Sequence, residues 1–257
     1  MTQDLIHSDA LDDDLRAAIA DIAIRQKRAS GVLMKAINFV GGQVEDGLKM
    51  LPKGARDQID VAARRALEAS YDTASRSRGT YGGSDNVHRA MGAISGALGG
   101  LGGLPTALME LPVATTVIFR AVQGVAAEYG EDPLSQEARM ECLAVFGAGG
   151  PGADDDGIDT SFFGARLGLT GAAVHGLLGK VAPRFATVLS QKLSSQAVPI
   201  LGAAAGAGTN YAFTDYYVQM AHVHFGLRKL ARDHGEKWVL DEFHRVQAAR
   251  DVPVKRA

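Results

Sequence analysis

The sequence predicts an all-α protein, a multi-helix bundle with Gly/Ala-rich, closely packed central helices. Three observations carry that expectation. Apolar residues recur at spacings of three and four, as in Leu11, Leu15, Ile19 and Ile22. No stretch alternates apolar and polar side chains over a strand's length; Val113 to Phe119 is the one β-like run, and its neighbours read as helix. Two long runs, Met91 to Phe119 and Leu193 to Thr214, are built of small and apolar residues and hold a single ionisable acid, Glu110.

Taken in order, Leu11 to about Ile24 forms a first amphipathic helix, with Asp12, Asp13 and Asp14 favouring its positive N-terminal end. Ser30 and Gly31 are expected to interrupt it, after which Leu33, Ile37 and Val40 restart the period up to Gly41 and Gly42. Val44 to Leu51 adds a turn or two before Pro52. Asp57 to Ala74 reads as a charged outer helix, with Ile59, Ala62, Leu67 and Tyr71 as its apolar stripe. The Ser/Gly/Asn-rich stretch Ser75 to Asn86 is a loop. It divides an N-terminal helical arm, residues 1–80, from a main helical domain, residues 81–250, with 251–257 as a frayed tail.

Within the main domain, Leu111-Pro112 marks a helix start, because proline is tolerated in a first turn where its missing N–H costs nothing. That helix runs to Gly130, which is placed to be a left-handed cap. Asp132-Pro133 opens another helix as far as Phe146. Gly147 to Gly157 is a loop whose consecutive Asp154, Asp155 and Asp156 lack the alternate spacing of a calcium loop. Phe162 to about Gly179 is a further small-residue segment, Pro183 begins a helix to Leu193, a helix follows through Tyr217 and Leu227 to about Arg232, and Trp238 to about Ala249 closes the domain.

Composition excludes several function classes. A net charge of −2 with a pI near 6.4 provides no basic field for nucleic acid. Basic residues gather around Arg56 to Arg78 and Arg228 to Arg232, where they read as solvated helix faces. The lone Cys142 reads as a buried apolar thiol. The acidic N-terminus, MTQDLIHSDALDDDL, lacks an apolar core of the signal-peptide kind, so a cytoplasmic location, or the inner face of a membrane, is expected.

Gly92, Gly96 and Gly100 fall four apart, Gly103 follows Gly99 at the same interval, and Gly202 and Gly206 repeat the device. Such faces let helix backbones approach closely, in lipid or in a protein core. The run from Leu193 to Thr214 is long enough to span a bilayer as one helix, about 33 Å against about 30 Å. Its Ser194, Ser195, Gln196, Pro199 and Asn210 oppose insertion, as Pro105, Glu110 and Pro112 do in the earlier run.

Candidate chemistry is sparse. Glu110 and Arg120 flank the expected helix start in apolar surroundings, where a buried carboxylate needs an arginine or free helix-start amides. Asp215, Gln219 and His222 share one helix face; Glu110, Glu128 or Asn210 from other helices could complete a polar site with them. His222 and His224 point about 200° apart and cannot share a metal, and no metal or cofactor motif is present.

Two segments in order, GALGGLGGLPTALMELPVATTVIFRAVQGVAAEYGEDPLSQEARMECLAVF (96–146) and LGAAAGAGTNYAFTDYYVQMAHVHFGLRKL (201–230), resemble the EcsC protein family. The first is similar to its glycine-rich lead into Leu-Pro, Thr-Thr, Arg and Ala-x-x-Tyr-Gly; the second to its Gly-Ala stretch ending in Asn. The likeness extends from about Asp57 to Val246. It implies a non-catalytic accessory protein, membrane-peripheral or associated with an ABC transporter component, since the founding member is encoded beside one. It assigns no catalytic residue. The contrasting expectation from the residues is a hydrolase-like enzyme with Glu110, Arg120, Asn210 and Asp215 around an internal pocket.

Overall fold

The computed structural model describes residues 2–41, 53–76, 103–148, 171–196 and 202–251. Among them are seven helices and no strand: α1 (Thr2–Gly41), α2 (Lys53–Arg76), α3 (Gly103–Glu128), α4 (Gln136–Val145), α5 (Gly171–Gln196), α6 (Gly202–His234) and α7 (Glu236–Asp251). The all-α class holds.

Helix α4 is the shortest of these and lies at the centre, touching α2, α3, α5 and α6. Ser135 starts it, its hydroxyl accepting the Ala138 N–H at 3.0 Å. Met140, Cys142, Leu143 and Val145 are buried, and Phe146 closes the helix as part of an aromatic cluster. Its ring lies 6.0 Å from Phe119 of α3, 5.3 Å from Phe185 of α5 and 4.9 Å from Tyr217 of α6. Around this centre α2 packs on α3 and α5, while α1 packs along α6 and also touches α7 and α5.

Several helix boundaries differ from expectation. Helix α1 does not break at Ser30-Gly31: Ala29 and Leu33, on either side, are both buried against the bundle. A single helical glycine costs about 1 kcal/mol, less than those contacts return. Helix α3 does not start at Pro112 but runs through it from Gly103, and α5 likewise runs through Pro183. A common device accommodates both prolines. Thr116 Oγ1 donates to the Pro112 carbonyl at 2.7 Å, and Thr187 Oγ1 to the Pro183 carbonyl at 3.1 Å. Thr116 also lies 3.2 Å from the buried Ser70 hydroxyl, tying α2 to α3 at the proline.

Asp132-Pro133 is a turn rather than a helix start, with Asp132 Oδ1 accepting the Leu134 N–H. The uncharged run from Leu193 to Thr214 is shared between the end of α5 and the start of α6. Among the described residues no helix is long and apolar enough to cross a membrane. The Gly130 expectation is met: φ is +82°, and Gly130 N–H to Ala127 O together with Glu131 N–H to Ala126 O close α3 in a Schellman motif. Gly235, φ +94°, separates α6 from α7 in the same conformation. The expected turns at 44–51, the loop beyond Arg76, the boundary at 80, the acidic loop 154–156 and the tail after Asp251 lie outside the described residues.

Candidate functional site

The long contact between α1 and α6 opens on one side into a cleft of about 580 Å³. Asp21, Arg25, Arg28 and Val32 line it from one stripe of α1, at successive helical spacings. Asp215, Gln219 and His222 face them from α6, and Tyr129, held at the end of α3 by the Gly130 turn, closes one end. Gly226 sets the approach of the two helices: a Cβ there would lie 3.2 Å from Ile22 Cδ1 and 3.6 Å from the Tyr129 ring.

A relay of side chains crosses the cleft. Asp215 Oδ1 accepts from Gln219 Nε2 at 3.2 Å, and Gln219 Oε1 accepts from the Arg25 guanidinium at 3.2 Å. Arg25 is thereby oriented toward α6 although it belongs to α1. The Tyr129 hydroxyl lies 3.4 Å from His222 Nδ1. Burial raises the phenol's pKa, partly offset by the charge of Arg25, so Tyr129 stays protonated and can donate to that nitrogen.

A second polar group lies beside the cleft's closed end, between α6 and the α3–α4 turn. Arg228 donates to Glu131 at 3.0 Å, to Glu141 at 2.9 Å and to Glu137, and Arg232 also reaches Glu131. His224, 1% exposed, places Nε2 2.8 Å from Glu141 Oε2. Burial alone would raise the Glu141 carboxyl, but the hydrogen bond and charge of His224 and the charge of Arg228 outweigh it and hold the group below its ordinary pKa. Of the Arg228 to Arg232 cluster, Lys229 and Arg232 are exposed as expected, whereas Arg228 is part-buried in a cross-helix ion network that Arg232 joins from the surface. Cys142 is buried as expected, and burial pushes its thiol well above the ordinary value, which removes it as a nucleophile.

The residues singled out in sequence scatter. Asp215 and His222 meet in the cleft. Glu128 is exposed on α3. Arg120 turns toward α2, donating to the Thr73 carbonyl at 3.3 Å and to Gln123 at 3.5 Å. Asn210 is 3% exposed and its Oδ1 has no hydrogen-bond partner among the described residues. Glu110 lies within α3, and since no helix begins at Pro112, the free amides expected to hold it there do not exist. Gly103, Gly202 and Gly206 belong to the starts of α3 and α6; Gly92, Gly96 and Gly100, and what packs on all six, lie outside the described residues and contacts. Asp21, Arg25, Arg28, Tyr129 and Gly226 complete the cleft without belonging to any pattern of candidate site residues in the sequence. A signal for the arginines was there: between Asp21 and Glu45 the chain holds Arg25, Lys27, Arg28 and Lys35 and no acid.

Residues 80–155 match the EcsC protein family. The match takes in the first of the two resembling segments, hence α3, α4 and Tyr129, and stops before the second; it covers less than a third of the chain. Both long walls of the cleft, α1 and α6, lie outside the EcsC match. No curated protein and no solved structure matches the chain. Among the described residues no group of three His, Cys, Asp or Glu could hold a metal ion.

Proposed function

We propose that the protein is a non-catalytic accessory protein of the EcsC type that docks on the anionic inner face of a membrane through α1. The observation that supports this is the exposure of Arg25, Lys27, Arg28 and Lys35 along one length of α1, with the exposed Val32 among them and no acid between Asp21 and Glu45. Each cation close to an anionic bilayer contributes about 1 kcal/mol, so four supply roughly a thousand-fold preference over a neutral surface. An ABC transporter component in that membrane is the partner the EcsC resemblance suggests. The hydrolase-like reading has no such support, because neither Arg120 nor Asn210 lines the cleft that holds Asp215.

Sedimentation with phosphatidylglycerol-containing vesicles tests the reading. Wild type is expected to pellet with them and not with phosphatidylcholine vesicles, the Lys27→Glu/Lys35→Glu variant to bind at least about ten-fold more weakly, and salt to release both. Equal binding of both proteins to the anionic vesicles, or no binding by wild type, overturns it.

A further inference from the structure

The geometry points to the α1–α6 cleft as a binding site for a zwitterion that carries a primary ammonium and a phosphate oxyanion, the chemistry of a phosphoethanolamine headgroup. The lining is balanced in charge: Asp21 and Asp215 against Arg25 and Arg28. The Asp215–Gln219–Arg25 relay occupies one of each sign. That leaves Asp21 and Arg28, which have no hydrogen bond or ion pair among the described residues. Seven residues apart on the same stripe, they are separated by about 10.5 Å of helix rise and do not satisfy one another.

A lone anion would gain Arg28 but face two carboxylates, and a lone cation would face two guanidiniums; a ligand with both charges meets each with its opposite. The planar fork of Arg28, with the remaining donors of Arg25, suits a phosphate oxygen pair. Asp21 accepts hydrogen bonds from an ammonium. A quaternary ammonium is recognised instead by a cage of aromatic rings, and this lining offers only the Tyr129 and His222 rings, paired with one another, so choline headgroups are the poorer fit. The volume suits a small ligand, and Ile22, Ala29 and Val32 offer an apolar wall to its glycerol end.

In its lipid-borne form the inference rests on the membrane reading above; for a free ligand it does not. Calorimetric titration of the full chain with soluble glycerophosphoethanolamine separates the two. Wild type is expected to bind it, Arg28→Ala and Asp21→Asn each at least ten-fold more weakly, and Lys27→Glu/Lys35→Glu unchanged, whatever the latter does on vesicles. Val32→Trp, which fills the mouth from an exposed position, is expected to block binding without touching either charge. Circular dichroism melts verify folding of every variant. A parallel arm adds phosphatidylethanolamine to the phosphatidylglycerol vesicles: a gain in bound fraction that Arg28→Ala loses assigns a lipid-borne headgroup, and soluble binding without that gain assigns a free one. The inference is overturned if wild type binds neither form, if all three cleft variants bind like wild type, or if glycerol 3-phosphate binds as tightly and Asp21→Asn does not weaken glycerophosphoethanolamine.

Discussion

Glu141 shows how a single carboxylate can join three elements. It sits on α4, takes His224 and Arg228 from α6, and shares Arg228 with Glu131 from the α3–α4 turn. Its folded pKa is depressed, so its contribution to stability is present above the ordinary carboxylate value of 4.5 and is lost as pH falls through the lower folded value. Thermal melts of wild type are expected to lose stability as the pH drops below about 4.5, and Glu141→Gln to be less stable at pH 7 but to show a shallower acid decline. A Glu141→Gln melt that falls as steeply as wild type would remove this residue as the source. Arg228→Ala leaves the same carboxylates without their shared cation and is expected to cost about 2 kcal/mol at pH 7, because charged hydrogen bonds to part-buried partners are worth more than exposed pairs.

At the scale of the helix, the two internal prolines explain why the starts expected at Pro112 and Pro183 lie instead within longer helices. Proline is a start signal only when the chain before it has no reason to be helical. In α3 and α5 the preceding turns are helical, and a threonine four residues on from each proline bonds the proline carbonyl. The two threonines are not equivalent: Thr116 is part-buried and bridges to Ser70 of α2, whereas Thr187 is exposed. Thr116→Val is therefore expected to destabilise by about 1 kcal/mol in denaturant unfolding, and Thr187→Val by less than half of that. Equal effects would show that the bridge to α2 contributes nothing. The same sequence logic succeeded where the signal was local and conformational, as at Gly130, since a left-handed cap is open to glycine at no steric penalty.

Across the whole molecule, the short α4 and its cap Phe146 form one point at which four longer helices meet. Phe146 touches aromatic rings from α3, α5 and α6, so its removal leaves a cavity that no one helix can close. Phe146→Ala is expected to cost about 3–5 kcal/mol and to lower the unfolding midpoint more than any of the cleft variants above. A loss under about 1 kcal/mol would mean that the neighbouring rings collapse into the space.

The helical class, the approximate helices, the buried Cys142 and the shared face of Asp215, Gln219 and His222 could all be read from the sequence, because periodicity, apolar character and glycine caps act within a few residues. The cleft could not. Its two walls lie 194 residues apart at the Arg25–Gln219 bond, and spacing on one helix says nothing about which distant helix it will face. For the same reason the part-buried pairing of Arg228 with Glu131, Glu137 and Glu141 could not be read from its position among basic residues. Local chemistry fixed which segments coil; packing between segments decided which charges are buried, which are paired, and which are left to face a ligand.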